Sequence, residues 1–216
     1  KTRNSFPKDA IKLGWDEGYA ITDISYGGGY WSLVMDKGTN FGKQRWFTTD
    51  NADLEKDIQE GWAEGFNIQK ICFGDGLYAV IMSEKPGHGT QSWFTRSTVS
   101  DFKSHVKERY EEDYYIIDLA YTNGSWFGFM AKDPPYLGQT WVGRSELPLD
   151  AMETENKDGK ILSALATDGN YWIAVMSKVE GCYSQTFGDL ELERPNKNPS
   201  SAGTGTGFAI SSNGYI

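Results

Sequence analysis

The chain has 216 residues and a formal charge of −9, with 25 glycines, 14% aromatic residues and only 2 His and 2 Cys. Glycine exceeds the roughly 7% usual in proteins, and the acidic balance excludes a nucleic-acid binder, which needs clustered Lys and Arg against phosphate. No apolar run approaches the roughly 20 residues of a membrane span, two cysteines make no disulfide framework, and no CxxC or HExxH spacing offers zinc.

The chain repeats itself. Val34-Met35, Ile81-Met82, Phe129-Met130 and Val175-Met176 recur at spacings of 47, 48 and 46, each Met preceded four residues earlier by Trp31, Tyr78, Trp126 or Trp172. Gln44, Gln91, Gln139 and Gln185 keep the same spacings, and Trp46, Trp93, Trp141 and Phe187 follow them two residues later. Gly14-Trp15 is answered by Gly61-Trp62, and Tyr110 stands at the third copy.

In chain order each unit opens on a helix, because Leu54, Ile58 and Trp62, like Phe102, Val106 and Tyr110, make an i, i+4, i+8 stripe. Pro7 suits the first helix start, and Gly18 and Gly65 are placed to end theirs. Extended segments follow at 21–26, 68–73, 116–121 and 161–166. Hairpin turns are expected at Gly27-Gly28-Gly29, Gly74-Asp75-Gly76, Asn123-Gly124 and Asp168-Gly169-Asn170. A return strand carries the aromatic and the Met, and a loop of varying length leads to a third strand with the Gln. The return strands are apolar on both faces, so each small sheet needs cover on two sides. The fold predicted is mainly β with peripheral helices: four helix-strand-strand-strand repeats of about 47 residues, propeller-like, although an open solenoid meets the same need.

The repeats fall at about 5–51, 52–97, 98–146 and 147–193. The fourth is degenerate at its start, where Asn156 replaces Trp15, Trp62 and Tyr110 and 147–160 reads weakly as helix. Thr2-Arg3-Asn4 resembles Thr95-Arg96-Ser97, the end of a third strand. The chain is therefore expected to open in the tail of an earlier repeat, with more repeats upstream or a ring closed against the last one.

Chemistry-bearing residues are few. Asp23 and Asp118 sit mid-strand at one repeat position, with Lys70 and Ser163 as the other occupants, which reads as a wetted or cross-paired polar column. Carboxylates there are also the candidates for a glycosidase-like propeller hydrolase. His88, Tyr136 and Tyr183 lie in the variable loops before third strands, where binding residues concentrate on a rigid scaffold. His105 reads as a solvated helix residue. The repeated Gln reads as structural, its amide satisfying backbone groups at a strand start. Cys72 reads as a small buried residue, and no disulfide to Cys182 is expected. No Ser-His-Asp triad can be assembled, and neither cofactor nor metal is expected.

The segment ITDISYGGGYWSLVM at 21–35 resembles bacterial β-propeller blades. The longer unit, with Trp15, Glu17, Gly18, Tyr19, Ile21, Thr22, Ile24, Val34, Met35, Lys37, Gly38 and Gln44, is similar to an uncharacterised repeat domain. That domain accompanies bacterial caspase-like peptidases and plant casein-kinase-I-like proteins. The resemblance covers roughly residues 5–190 and implies a non-catalytic accessory module.

Residues 194–204 read as linker. Gly205, Gly207, Phe208, Ile210, Gly214, Tyr215 and Ile216 then resemble the first hairpin of trypsin-like serine proteases of the bacterial high-temperature-requirement type, whose catalytic His would lie beyond Ile216. The alternative is a terminal strand completing the repeats. The resemblance implies a scaffold domain, 1–193, on the N-terminal side of a covalently linked protease. The alternatives are the carboxylate hydrolase or a free-standing carbohydrate- or peptide-binding protein. The protease resemblance leans extracytoplasmic, and the caspase-linked one cytoplasmic.

Overall fold

In the computed structural model, residues 2–3 and 5–180 are described. The order of elements is β1 (Thr2–Arg3), α1 (Lys8–Asp16), β2 (Ala20–Gly27), β3 (Tyr30–Asp36), β4 (Gln44–Thr49), α2 (Leu54–Ala63), β5 (Asn67–Gly74) and β6 (Leu77–Ser83). It continues with β7 (Gln91–Arg96), α3 (Val99–Glu111), β8 (Tyr115–Thr122), β9 (Ser125–Ala131), β10 (Tyr136–Arg144), α4 (Leu149–Lys157), β11 (Lys160–Thr167) and β12 (Trp172–Val179). Over the described residues the fold is mainly β, with four helices and four antiparallel three-stranded sheets.

Local sequence explains the joints. Gly18 at φ +80 and Gly65 at φ +84 end α1 and α2, while Tyr19 N–H donates to Gly14 O and Phe66 N–H to Gly61 O. Those 6→1 bonds are the Schellman arrangement, which needs a left-handed residue. In the turns, Asp75 and Gly76 have φ +52 and +78, and Asn123 and Gly124 have φ +49 and +75. Two successive positive φ angles make the type I′ turn that matches strand twist. The last turn differs: the Asp168 carboxylate accepts from Asn170 N–H and Tyr171 N–H. The segment that reads weakly as helix is α4, and Asn156 holds its end by donating to Lys160 O at 3.0 Å.

The sheets are out of phase with the sequence repeats. Their strand orders are β1-β3-β2, β4-β6-β5, β7-β9-β8 and β10-β12-β11. The third strand of one sequence repeat therefore forms the outer edge of the following sheet. Thr2 and Arg3 pair with Ser32 and Trp31, as Thr95 and Arg96 pair with Phe127 and Trp126. Each hairpin has a bulge near the start of its first strand, between Ile21 and Asp23, Ile68 and Lys70, Ile116 and Asp118, and Leu162 and Ala164. This corrects the polar column. Ala164, not Ser163, matches Asp23, Lys70 and Asp118, and Ser163 is the bulge residue, equivalent to Thr22, Gln69 and Ile117.

Both sides of the inner sheets are covered. One buried cluster joins Ile11 of α1 to Ile24 and Trp31 of the first sheet and Cys72 and Ile81 of the second. Another joins Leu54 and Ile58 of α2 to Val80 and Met82, then to Phe127 and Phe129 of the third sheet. A third joins Phe102 and Val106 of α3 to Trp126 and Met130, then to Ile173 and Val175 of the fourth. Each of these helices thus sits at the seam between two sheets. Strands β6 and β9 are consequently buried along nearly their whole length, whereas β3 keeps Tyr30 exposed and Ser32 and Val34 half-buried on its other face.

Packing across one strand pair yields a prediction. Gly128 lies opposite Phe94, and a Cβ on it would come within 2.3 Å of the ring. Leu33, Val80 and Ala174 hold the matching position elsewhere, so Phe94 fills the volume that Gly128 leaves. Gly128→Ala is expected to cost about 1–3 kcal/mol through overpacking, outweighing the usual gain of replacing Gly in a strand. Urea denaturation of the two proteins measures it.

Candidate functional site

Four first strands of hairpins, β2, β5, β8 and β11, run side by side in succession along the inner edges of the sheets. An unpaired inner edge exposes backbone N–H and C=O groups, which must find partners. The repeated Gln supplies them. Gln139 Oε1 accepts from Ile116 N–H and the Tyr110 hydroxyl, both at 2.8 Å, and its Nε2 donates to Ile116 O and Ser177 Oγ, also at 2.8 Å. Gln44 binds Ile21 N–H and O and the Trp15 indole N–H in the same way, and Gln91 binds Ile68 and Trp62. Each clamp reaches from the outer strand of one sheet to the inner strand and helix of the sheet before it. Gln185 lies outside the described residues.

The column supplies further partners. Asp118 is fully buried; its Oδ1 accepts from Leu119 N–H at 3.0 Å and its Oδ2 from Ile71 N–H of the neighbouring inner strand at 3.3 Å. Asp23 is 7% exposed, binds the following Ile24 N–H, and has no hydrogen bond at Oδ1 among the described residues. Lys70 stands between them, with Nζ 3.9 Å from Asp23 Oδ1 and 4.0 Å from Asp118 Oδ2. Three sheets are thus cross-paired through one ammonium.

Burial sets the charge states. It pushes the Asp23 carboxyl up to about 7, with Lys70 pulling it down and Asp118 adding to the rise. Burial pushes Lys70 down, but Asp118, Asp23 and Tyr136 more than reverse this and hold its ammonium above the ordinary lysine value. Burial, with Asp118 and Asp23, raises the Cys72 thiol, which makes it inert.

The segments that bear two of the candidates, His88 and Tyr136, are tied together. Gly89 N–H donates to Lys132 O and Lys132 N–H to Thr90 O, lacing the loop that bears His88 to the loop that leads into Tyr136. Tyr136 is not a loop residue, as the sequence suggests, but the first residue of β10, paired with Val179. His88 Nδ1 faces Gln91 Nε2 at 3.2 Å, and its ring meets Phe129 edge-on. With Gln91 donating, the imidazole proton is assigned to Nε2. Burial lowers His88 to about 4, a bond with Gly89 opposes this, and Lys70 adds to the fall. Burial raises the Tyr136 hydroxyl; Lys70 pulls it down and Asp118 pushes it up. His88, Tyr136, Asp23 and Asp118 therefore all lie within the field of Lys70. Tyr183 lies outside the described residues.

Lys70 itself carried a sequence signal, a cation in an apolar strand at the position of two acids, which reads as mere variability until the sheets are stacked. His105 is not a freely solvated residue: its Nδ1 lies 2.8 Å from an Arg96 guanidinium nitrogen, and its ring packs on Phe94. Burial and Arg96 lower its pKa. Among the described residues no group of three or more His, Cys, Asp or Glu could hold a metal ion, and no helix is long and apolar enough to cross a membrane.

No curated protein and no solved structure matches the chain. A family model described as a domain of unknown function, DUF7477, matches residues 42–213, most of the chain, which therefore belongs to that family.

Proposed function

We propose that this chain is a non-catalytic interaction and scaffold domain that takes a protein, peptide or carbohydrate ligand at the loop end of its inner strands. The observation that carries the reading is the lacing of the His88 loop to the segment that leads into β10 at Tyr136, together with the pairing of Asp23 and Asp118 across sheets through Lys70. A general acid–base pair needs carboxyls open to substrate. Asp118 instead spends both oxygens on backbone N–H groups, the geometry of a clasp. We read the stacked sheets and successive inner strands as a propeller-like array. The resemblance of 205–216 to a protease hairpin further makes the domain an N-terminal accessory module of a trypsin-like serine protease.

The expected result is binding without turnover. Peptides and glycans screened by NMR should include ligands that shift loops 84–90 and 132–136, while a panel of aryl glycosides stays intact. Hydrolysis abolished by Asp23→Asn would replace this reading with the carboxylate hydrolase. For the protease linkage, the parent gene should continue past Ile216 with Thr-Asn-x-His-Val, and an unrelated stretch there retires that part.

A further inference from the structure

We propose that Lys70 and Asp23 are the precursors of an intramolecular isopeptide bond, from Lys70 Nζ to Asp23 Cγ, formed with loss of water and with Asp118 as proton carrier. The bond joins the first sheet covalently to the second and is independent of any ligand.

The geometry carries it. The three side chains come from β2, β5 and β8, and both carboxyls are buried. Lys70 Nζ lies 3.9 Å from Asp23 Oδ1 and 4.0 Å from Asp118 Oδ2, beyond the roughly 2.7–2.9 Å of an ammonium–carboxylate hydrogen bond. Lys70 is therefore adjacent to Asp23 without being locked to it. Asp23 Oδ1 has no hydrogen bond among the described residues, so the Ile24 N–H that Asp23 binds meets Oδ2. That donor polarises Oδ2 as the carbonyl oxygen. It leaves Oδ1, the oxygen nearer the lysine, as the leaving group. Groups held this way react far faster than free ones once Nζ closes to about 3–3.5 Å from Cγ.

The protons balance. Burial pushes the Asp23 carboxyl up to about 7, so below that pH it is largely the neutral acid that an amine can acylate. The Lys70 ammonium passes one proton to the Asp118 carboxylate, and the freed amine attacks Asp23 Cγ. The Nζ–Cγ bond forms and the Cγ–Oδ1 bond breaks. Asp118 gives its proton to the departing hydroxyl and takes the second nitrogen proton. The products are an amide, one water and a neutral Asp118, with nothing oxidised or reduced. The Lys70 side chain is 20% exposed, which gives the water a way out. Before condensation Asp23 titrates; after it, neither partner does.

The test is the intact mass of the full chain, denatured after incubation in the folded state at neutral pH. A mass short by one water is expected, with a branched tryptic fragment uncut after Lys70 and joined to the peptide that holds Asp23. Lys70→Arg keeps the cation but offers no amine, and should show the full mass. Asp23→Asn should condense with loss of ammonia instead, and Asp118→Asn should slow condensation about a hundredfold or more. Backbone NMR spectra check that each variant stays folded. The full sequence mass in the folded parent overturns the bond. So does a missing water that maps to Asp75-Gly76, where a cyclic imide gives the same mass. A folded Asp118→Asn chain that condenses at the parent's rate overturns the part given to Asp118.

Discussion

Replacing Gln139 by Ala is expected to lower the stability of the domain by about 3–4 kcal/mol, the largest loss from any single polar side chain described above. Four hydrogen bonds of 2.8 Å end on this amide, two of them from the backbone of fully buried Ile116. Truncation leaves a backbone donor and acceptor facing a void, along with the hydroxyls of Tyr110 and Ser177. In a protein of this size the loss corresponds to a melting temperature lower by roughly 10 °C. Gln139→Glu separates hydrogen bonding from volume: it keeps the shape but cannot donate to Ile116 O, so it should fall nearly as far. Gln59, exposed on α2, is the control, and Gln59→Ala should leave the melting temperature unchanged. A Gln139→Ala protein that melts with the parent would refute the clamp.

The second large effect is on pH dependence, where two groups oppose each other. Asp23 is raised from 3.8 to about 7 in the fold. The folded state therefore binds a proton that the unfolded chain releases, so Asp23's contribution is fully present below about pH 4 and is lost as pH rises to about 7. His88 is lowered from 6.5 to about 4. Its contribution is present above about pH 6.5 and is lost as pH falls toward 4. At about 1.4 kcal/mol per unit, the swings are at most on the order of 4–5 kcal/mol for Asp23 and 3–4 kcal/mol for His88. Between pH 4 and 6.5 the slopes largely cancel, and the parent should show a shallow profile. Asp23→Asn should uncover the His88 slope, losing stability on acidification, and should be more stable than the parent at pH 8. His88→Gln should uncover the opposite slope. Denaturant midpoints across that range decide the matter, and parallel profiles for all three proteins would sink it.

What the sequence conveyed depended on whether the determining contact was local. The helix ends at Gly18 and Gly65, the turns at Asp75-Gly76 and Asn123-Gly124, and the structural task of the repeated Gln follow from conformational preference and periodicity. The partition of strands does not. A third strand with Gln and a ring pairs equally well, by pattern alone, with its own hairpin or with the next. The fourth repeat slips by one for a different reason: Ile161 mimics Ile21, Ile68 and Ile116, but Leu162 is their equivalent, pairing with Met176 as they pair with Met35, Met82 and Met130, so that Ser163 stands in for Ala164. His105 was misread because β7 supplies Arg96 and Phe94 to it across the helix face. Asp23, Lys70 and Asp118 are visible in the sequence as occupants of one column, but their pairing across three sheets through Lys70 appears only once those sheets are stacked.

The offset between sheets and sequence repeats has an evolutionary consequence. Because each outer strand is lent forward to the following sheet, no cut in the chain coincides with both a repeat boundary and an isolated folded piece. Recombination that removes or inserts one full period nevertheless preserves every sheet, wherever the crossover falls: the donor strand that is lost is replaced by its counterpart one period away. Each sheet is one continuous stretch of chain, so such an array can change length in the genome by whole sheets without passing through an unpaired intermediate.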